Sequence, residues 1–325
     1  MRKKSNIKES IAMAILPLLL LTVSPIFSSC DNEDELSKES IIVADKDISN
    51  TPLDLWLKTY ILEPYNLKIE WQWNGNEVRL GYYTVPASYE CATILAHIVK
   101  YCCLEAYDEA ASPVFTRRNF PKQIIFVGTW EYNNNGTYTL GTAEGGKKIW
   151  LAGVNHVKEN IAQGAARLNS QYLKTIHHEF THILNQNAPY QVAFKELTKT
   201  TYVADSWNSD TYKTGYQQRG YISAYAQANA GEDFAEMYSI YVTSTPEVWD
   251  GILEKAIITT TDDFGNEIKD YTYYNILQQK LDLVRAYMHK TWGLDMDVMR
   301  ESLTRRLNDV VNGRVDLTDL TIPVN

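Results

Sequence analysis

The chain has 325 residues, 22% of them charged and 45% hydrophobic, with a formal net charge of −9 and four cysteines. That acidity excludes a nucleic-acid-binding surface, which needs a basic patch to meet phosphates. So few cysteines, with Cys91, Cys102 and Cys103 set in apolar sequence, exclude a disulfide-stapled module and read as small core residues.

The N-terminus reads as an export signal. Arg2, Lys3, Lys4 and Lys8 form a basic stretch, and Ile11 to Leu21 follow as an apolar run broken by Pro17, too short for a membrane span. Phe27-Ser28-Ser29 then lead to Cys30. A Cys after small residues at this point resembles a bacterial lipobox. The resemblance implies removal of residues 1–29 and lipidation of the Cys30 thiol. The membrane partner is then the outer membrane of a Gram-negative bacterium, with the cell surface as the expected location. Ordinary secretion with cleavage near Ser29 is the alternative. Asp31 to Glu35 is acidic. It is similar to the surface-export signals of some outer-membrane lipoproteins and equally suits a solvated linker. Residues 30–50 lack apolar periodicity and are expected to be a flexible tether; the folded part is expected over 51–325. Without the signal the charge is about −12, and no second long apolar run follows.

Tyr65 to Tyr83 alternates in part and is rich in Trp, Tyr and Val; Asn74-Gly75 within it is a hairpin signal. Ser88 to Glu109 lacks Gly and Pro and carries Leu95, Ile98, Val99 and Leu104 at helical spacing. Lys122 to Val127 and Lys148 to Val154 read as strands, with turns at Asn133–Gly136 and Ala143–Gly146 between them. The chain from about Ala230 to Asn312 is helical by pattern, interrupted by a loop or short hairpin near Thr260 to Asn266. This is an α+β plan: a mixed sheet lobe over about 51–168, a helix over about 169–187, and a helical lobe over about 188–325.

That middle helix carries the chemistry. Leu173, Ile176, Phe180, Ile183 and Leu184 fall on one side at 100° per residue. His178 and His182, one turn apart, share the opposite side. Two imidazoles at i and i+4 can both reach one zinc ion, and Glu179 between them can reach a metal-bound water as general base. A catalytic zinc takes a third protein ligand and leaves one position open. Downstream, Glu232 and Glu236 share one face of a predicted helix, which suits a ligand plus an orienting carboxylate. His177 points away and is expected to be a hydrogen-bonded supporting histidine. His97, His156 and His289 lack partners at ligand spacing and read as structural. Asp233 reads as a first-turn acid favouring the helix N-terminus.

His178-Glu179-x-x-His182 followed by Glu232-Asp233-Phe234-Ala235-Glu236 resembles the gluzincin metallopeptidases. The segment is similar to the catalytic domain of anthrax lethal factor and, with the lipobox, to zinc metallohydrolase lipoproteins associated with outer-membrane substrate importers. The resemblance covers about 25 positions. It implies a zincin-like fold, one zinc ion held by His178, His182 and Glu232, and Glu236 hydrogen-bonded to a ligand histidine. It also implies Tyr225, seven residues before Glu232, as a transition-state donor, and an outer-membrane importer as partner. Glu236 as third ligand, and Tyr221 or Tyr238 as donor, remain open. An edge strand above the cleft, which an extended peptide could join, is expected at Ile149 to Val154.

The function expected is hydrolysis of peptide or protein substrates. The rival is a surface lipoprotein that captures glycans or peptides around a structural or degenerate zinc site, with Trp71, Trp73 and Trp130 as stacking residues. A third reading keeps the zinc hydrolase with a non-peptide amide or ester as substrate.

Overall fold

Lys148–Leu151 (β6) is buried between two neighbours, and this places the cleft differently from the expectation above. In the computed structural model, which describes residues 51–75, 82–132, 138–139, 141–144 and 148–323, four strands pair in the order β1-β2-β6-β5. Here β1 is Lys68–Glu70, β2 is Gln123–Phe126, and β5 is Gly141–Glu144. β1, β2 and β6 run parallel, and β5 is antiparallel to β6. Among the described residues the edge strands are therefore β1 and β5, and the expected edge strand at Ile149–Val154 is interior. The cause is visible in its composition. β2 and β6 carry continuous apolar runs because both faces are covered. Ile124, Phe126, Ile149 and Leu151 join the main core, while Ile125, Val127 and Trp150 form a second cluster.

Two expected turns fall partly outside the described residues. Ala143 and Glu144 continue β5, and residues 145–147 lie outside the described residues. β1 pairs in parallel with β2, and the second arm of the hairpin signalled by Asn74-Gly75 falls on residues 76–81, outside those described. The turn at 133–136, the lipobox, the acidic tract and the tether lie outside them too. Glu131–Tyr132 (β3) and Tyr138–Thr139 (β4) make a small separate pair.

Helices α1 (Pro52–Leu57) and α2 (Glu63–Tyr65), with a π turn between them, open the folded part. The predicted helix over 88–109 forms as α3 (Tyr89–Ile98), a π turn (Val99–Leu104) and α4 (Glu105–Ala110). Ser88 caps it by accepting from the Cys91 amide, and Cys91, Cys102 and Cys103 are buried free thiols. Next come α5 (Pro113–Asn119), α6 (Val157–Ala162) and α7 (Ala165–Leu168). A π turn (Asn169–Leu173) then leads into α8 (Lys174–Asn187). After α9 (Val192–Glu196) the chain runs through short 3₁₀ turns to α10 (Ala230–Thr243). α11 (Pro246–Glu254) precedes the hairpin β7 (Ile258–Thr261) and β8 (Glu267–Asp270), where the break near Thr260 was expected. α12 (Thr272–Trp292) and α13 (Met296–Val311) complete the fold. Among the described residues no helix is long and apolar enough to cross a membrane.

Two packings position the site. The π turn's Leu173 and Ile176, Phe180, Ile183 and Leu184 of α8 enter the core, each at most 2% exposed, and α8 lies against β5 on one side. α10 packs along α8 and brings its first turn to the two imidazoles.

Candidate metal centre

The side chains of His178 and His182 leave α8 one turn apart, with ring centroids 4.7 Å apart. Glu232 arrives from the first turn of α10. Its placement is local: Asn229 caps α10 by accepting from the amides of Gly231 and Glu232, at 2.9 and 3.1 Å. The cap fixes where the helix begins and so where Glu232 emerges. The helix N-terminus also favours a carboxylate there.

The three side chains converge. Glu232 Oε2 lies 2.9 Å from His178 Nε2 and 3.2 Å from His182 Nε2, and the two Nε2 atoms are 3.1 Å apart. In a tetrahedral zinc site with bonds of roughly 2.0–2.1 Å, neighbouring donor atoms stand about 3.3 Å apart. The observed triangle is close to one face of that tetrahedron. Two nitrogens and a carboxylate oxygen are also the donor types that zinc takes, so the residues fit the ion.

Behind the triangle, Glu236 Oε1 lies 2.9 Å from His178 Nδ1. The second carboxylate oxygen of Glu236 accepts from Lys174 Nζ at 2.8 Å and Ser223 Oγ at 2.6 Å. Both oxygens of Glu236 thus face away from the Nε2 pair, and Glu232 is the acid that meets it. Burial would raise the Glu236 carboxyl, but the Lys174 cation and the bond to His178 outweigh it and hold the group well below the ordinary range. For Glu232, burial is likewise outweighed by hydrogen bonds from His178 and His182, which bring it down to about 2. Burial pushes the His178 imidazole down, while Glu232 and Glu236 together raise it to about 9.

Glu179 is half-buried beside the triangle, and its charge acts on both His178 and Tyr225. The Tyr225 ring lies 5.9 Å from the His178 ring. Burial first, then the carboxylates of Glu232, Glu179 and Glu236, push its phenol well above the usual value, so it stays protonated. The alternatives are engaged elsewhere: Tyr221 O–H is 2.7 Å from Thr201 Oγ1, and Tyr238 O–H donates to Tyr107 in the core at 3.2 Å. His177 is fully buried, 2.8 Å from Tyr107 O–H, and burial lowers its pKa to about 3.

Asp233 lies in the first turn of α10, as the sequence implied, and takes a second role there. It is 0% exposed and accepts from Lys280 of α12 at 2.5 Å and from Tyr202 at 2.9 Å. Its carboxylate is also half of a buried ion pair, which the sequence did not show. Ser223 and Lys174 were not singled out from sequence. Lys174 stands one turn before His178, so its helical spacing carried a signal, whereas nothing in the sequence ties Ser223 to Glu236.

A His-His-Glu triangle, with His178 buried and His182 and Glu232 partly exposed, backed by a carboxylate, has the donor set of a metal site in a mixed α+β fold. Residues 46–297 match the model of a family described as "Putative zinc-binding metallo-peptidase", and the chain belongs to that family. A crystal structure of a protein from Bacteroides caccae ATCC 43185, described in the same words, is 31% identical. The similarity covers 83% of this chain and 96% of that one, with a TM-score of 0.67. No curated protein matches the chain.

Proposed function

We propose that this chain is a gluzincin-type, zincin-like peptidase in which His178, His182 and Glu232 hold one zinc ion. The convergence of those three donor atoms within 4.8 Å, on the Nε2 side of both imidazoles, carries the reading. Bound there, zinc would polarise a scissile carbonyl and bring the pKa of water to about 7. Glu179 takes the proton of the attacking water and returns it to the leaving amine. Tyr225, held protonated, donates to the oxyanion that develops at the carbonyl. Glu236 holds His178 through Nδ1, fixing which nitrogen faces the ion. The outer edge of β5, which packs against α8, offers an extended peptide a strand to join. The lipid on Cys30 would hold this activity at the outer membrane, beside an importer that takes up the products; the signal and lipobox pattern alone supports that part.

The test is Glu179→Gln. Zinc content stays at one ion per chain, and hydrolysis of a peptide library falls by at least about 10²-fold, the usual worth of general base catalysis. Retained turnover in this variant would overturn the mechanism.

A further inference from the structure

Trp207 has no part in the mechanism above, yet it borders the metal centre. It sits in the 3₁₀ turn Ala204–Asn208, and its indole packs edge-on against Tyr225, with centroids 5.0 Å apart at 71°. Tyr225 is itself 5.9 Å from the His178 ring. The indole is therefore no further from that ring than these two spacings laid end to end. About three residues of extended peptide span that length, at roughly 3.3–3.6 Å each.

Three observations separate this tryptophan from core filling. The indole is half-exposed, whereas Trp249, which packs on Tyr241, is 4% exposed. Among the described residues its N–H meets no hydrogen-bond partner, although tryptophans packed into structure usually find one. The backbone also adopts a disfavoured conformation to place it. Ala204, which opens the turn, has φ +47°, a left-handed geometry that residues with a Cβ avoid. Such residues concentrate where the surrounding structure holds a functional group in place. What holds this one is a bond from the Val203 amide to Gln227 O at 2.8 Å, which ties the Trp207 turn to the turn that carries Tyr225.

We propose that Trp207 contacts substrate: with Tyr225 it forms an aromatic wall that receives an aromatic or large aliphatic side chain within about two residues of the scissile bond. This rests on the peptidase reading and names its substrate class, peptides with a large apolar side chain close to the cut. The exposed indole face supplies apolar area for stacking, and its open N–H can donate to a substrate carbonyl.

Wild type, Trp207→Ala and Trp207→Phe are compared on paired peptides that carry phenylalanine or alanine at each of the two positions on either side of the cut. In wild type, kcat/KM favours phenylalanine at one of these positions. In Trp207→Ala that ratio falls about tenfold, mainly through KM, as expected for losing one buried aromatic contact. Trp207→Phe keeps the ratio within about threefold of wild type, because the stacking face remains. An unchanged ratio in Trp207→Ala, or an equal fall in both variants, overturns the proposal; zinc content and thermal unfolding verify that each variant is folded and loaded. If wild type cleaves no peptide, the peptidase reading fails, and the same peptides are titrated by calorimetry. Weaker binding of the phenylalanine peptides to Trp207→Ala then upholds the wall, and equal binding or none overturns it.

Discussion

Replacing Lys280 by Met should destabilise the protein severely, by an amount the structure allows to be worked out. Lys280 and Asp233 are both 0% exposed, with Nζ 2.5 Å from Oδ2. Lys280 also donates to Gly220 O at 2.8 Å and lies over the Tyr221 ring at 4.4 Å. The pair thus joins α12, α10 and the loop before Tyr225. Met fills the volume of the stem but removes the cation, leaving a buried carboxylate with Tyr202 as its remaining donor. Breaking a buried pair in this way costs about 3–5 kcal/mol. At about 2–4 °C per kcal/mol for a fold of this size, Tm should drop by about 10 °C. The sign of the pH dependence follows. Burial already raises the Asp233 carboxyl above its ordinary value, against the pull of Lys280 and Tyr202. Without Lys280 it rises further above the unfolded value of about 3.9. A carboxyl raised on folding destabilises wherever the unfolded chain carries the charge. The penalty is therefore largest at high pH and shrinks as the pH falls through the raised value of the Asp233 carboxyl toward the unfolded one, because the folded chain then takes up the proton. Adding Asp233→Asn should recover most of the loss at neutral pH, because no buried charge remains. Thermal unfolding followed by circular dichroism at pH 5 and pH 7.5 measures all three proteins. A single variant within about 2 °C of wild type at pH 7.5, or a double variant no better than the single, would refute the argument.

Two further outcomes bear on the site itself. Glu236→Gln removes the carboxylate that faces His178 Nδ1 at 2.9 Å and should weaken zinc affinity by about 10- to 100-fold, read by chelator competition; an unchanged affinity removes Glu236 from the support of the centre. Tyr225→Phe takes away the phenol O–H next to His178 and should lower kcat by about 10²- to 10³-fold with KM nearly constant. A change confined to KM would assign Tyr225 to substrate binding instead.

The sequence by itself determined the elements whose cause is local. The apolar stripe of α8 and the i, i+4 pair His178 and His182 follow from a 3.6-residue period, and that period holds wherever the helix packs. The strand runs at Ile124 and Ile149, the helix over 88–109 and the hairpin near Thr260 were legible for the same reason. Glu232 was legible as a carboxylate on the first turn of a helix. That it meets both imidazoles from 54 residues beyond His178 depends on how α10 crosses α8. Tertiary structure also decided which strand forms the sheet edge, because a buried apolar run is the same whether its neighbours lie on one side or both. It gave Asp233, an acid of the first helical turn, Lys280 as its partner, joined Ser223 to Glu236, and set Trp207 on Tyr225. These contacts link residues from separate segments, and no periodicity or spacing rule records a distance across space.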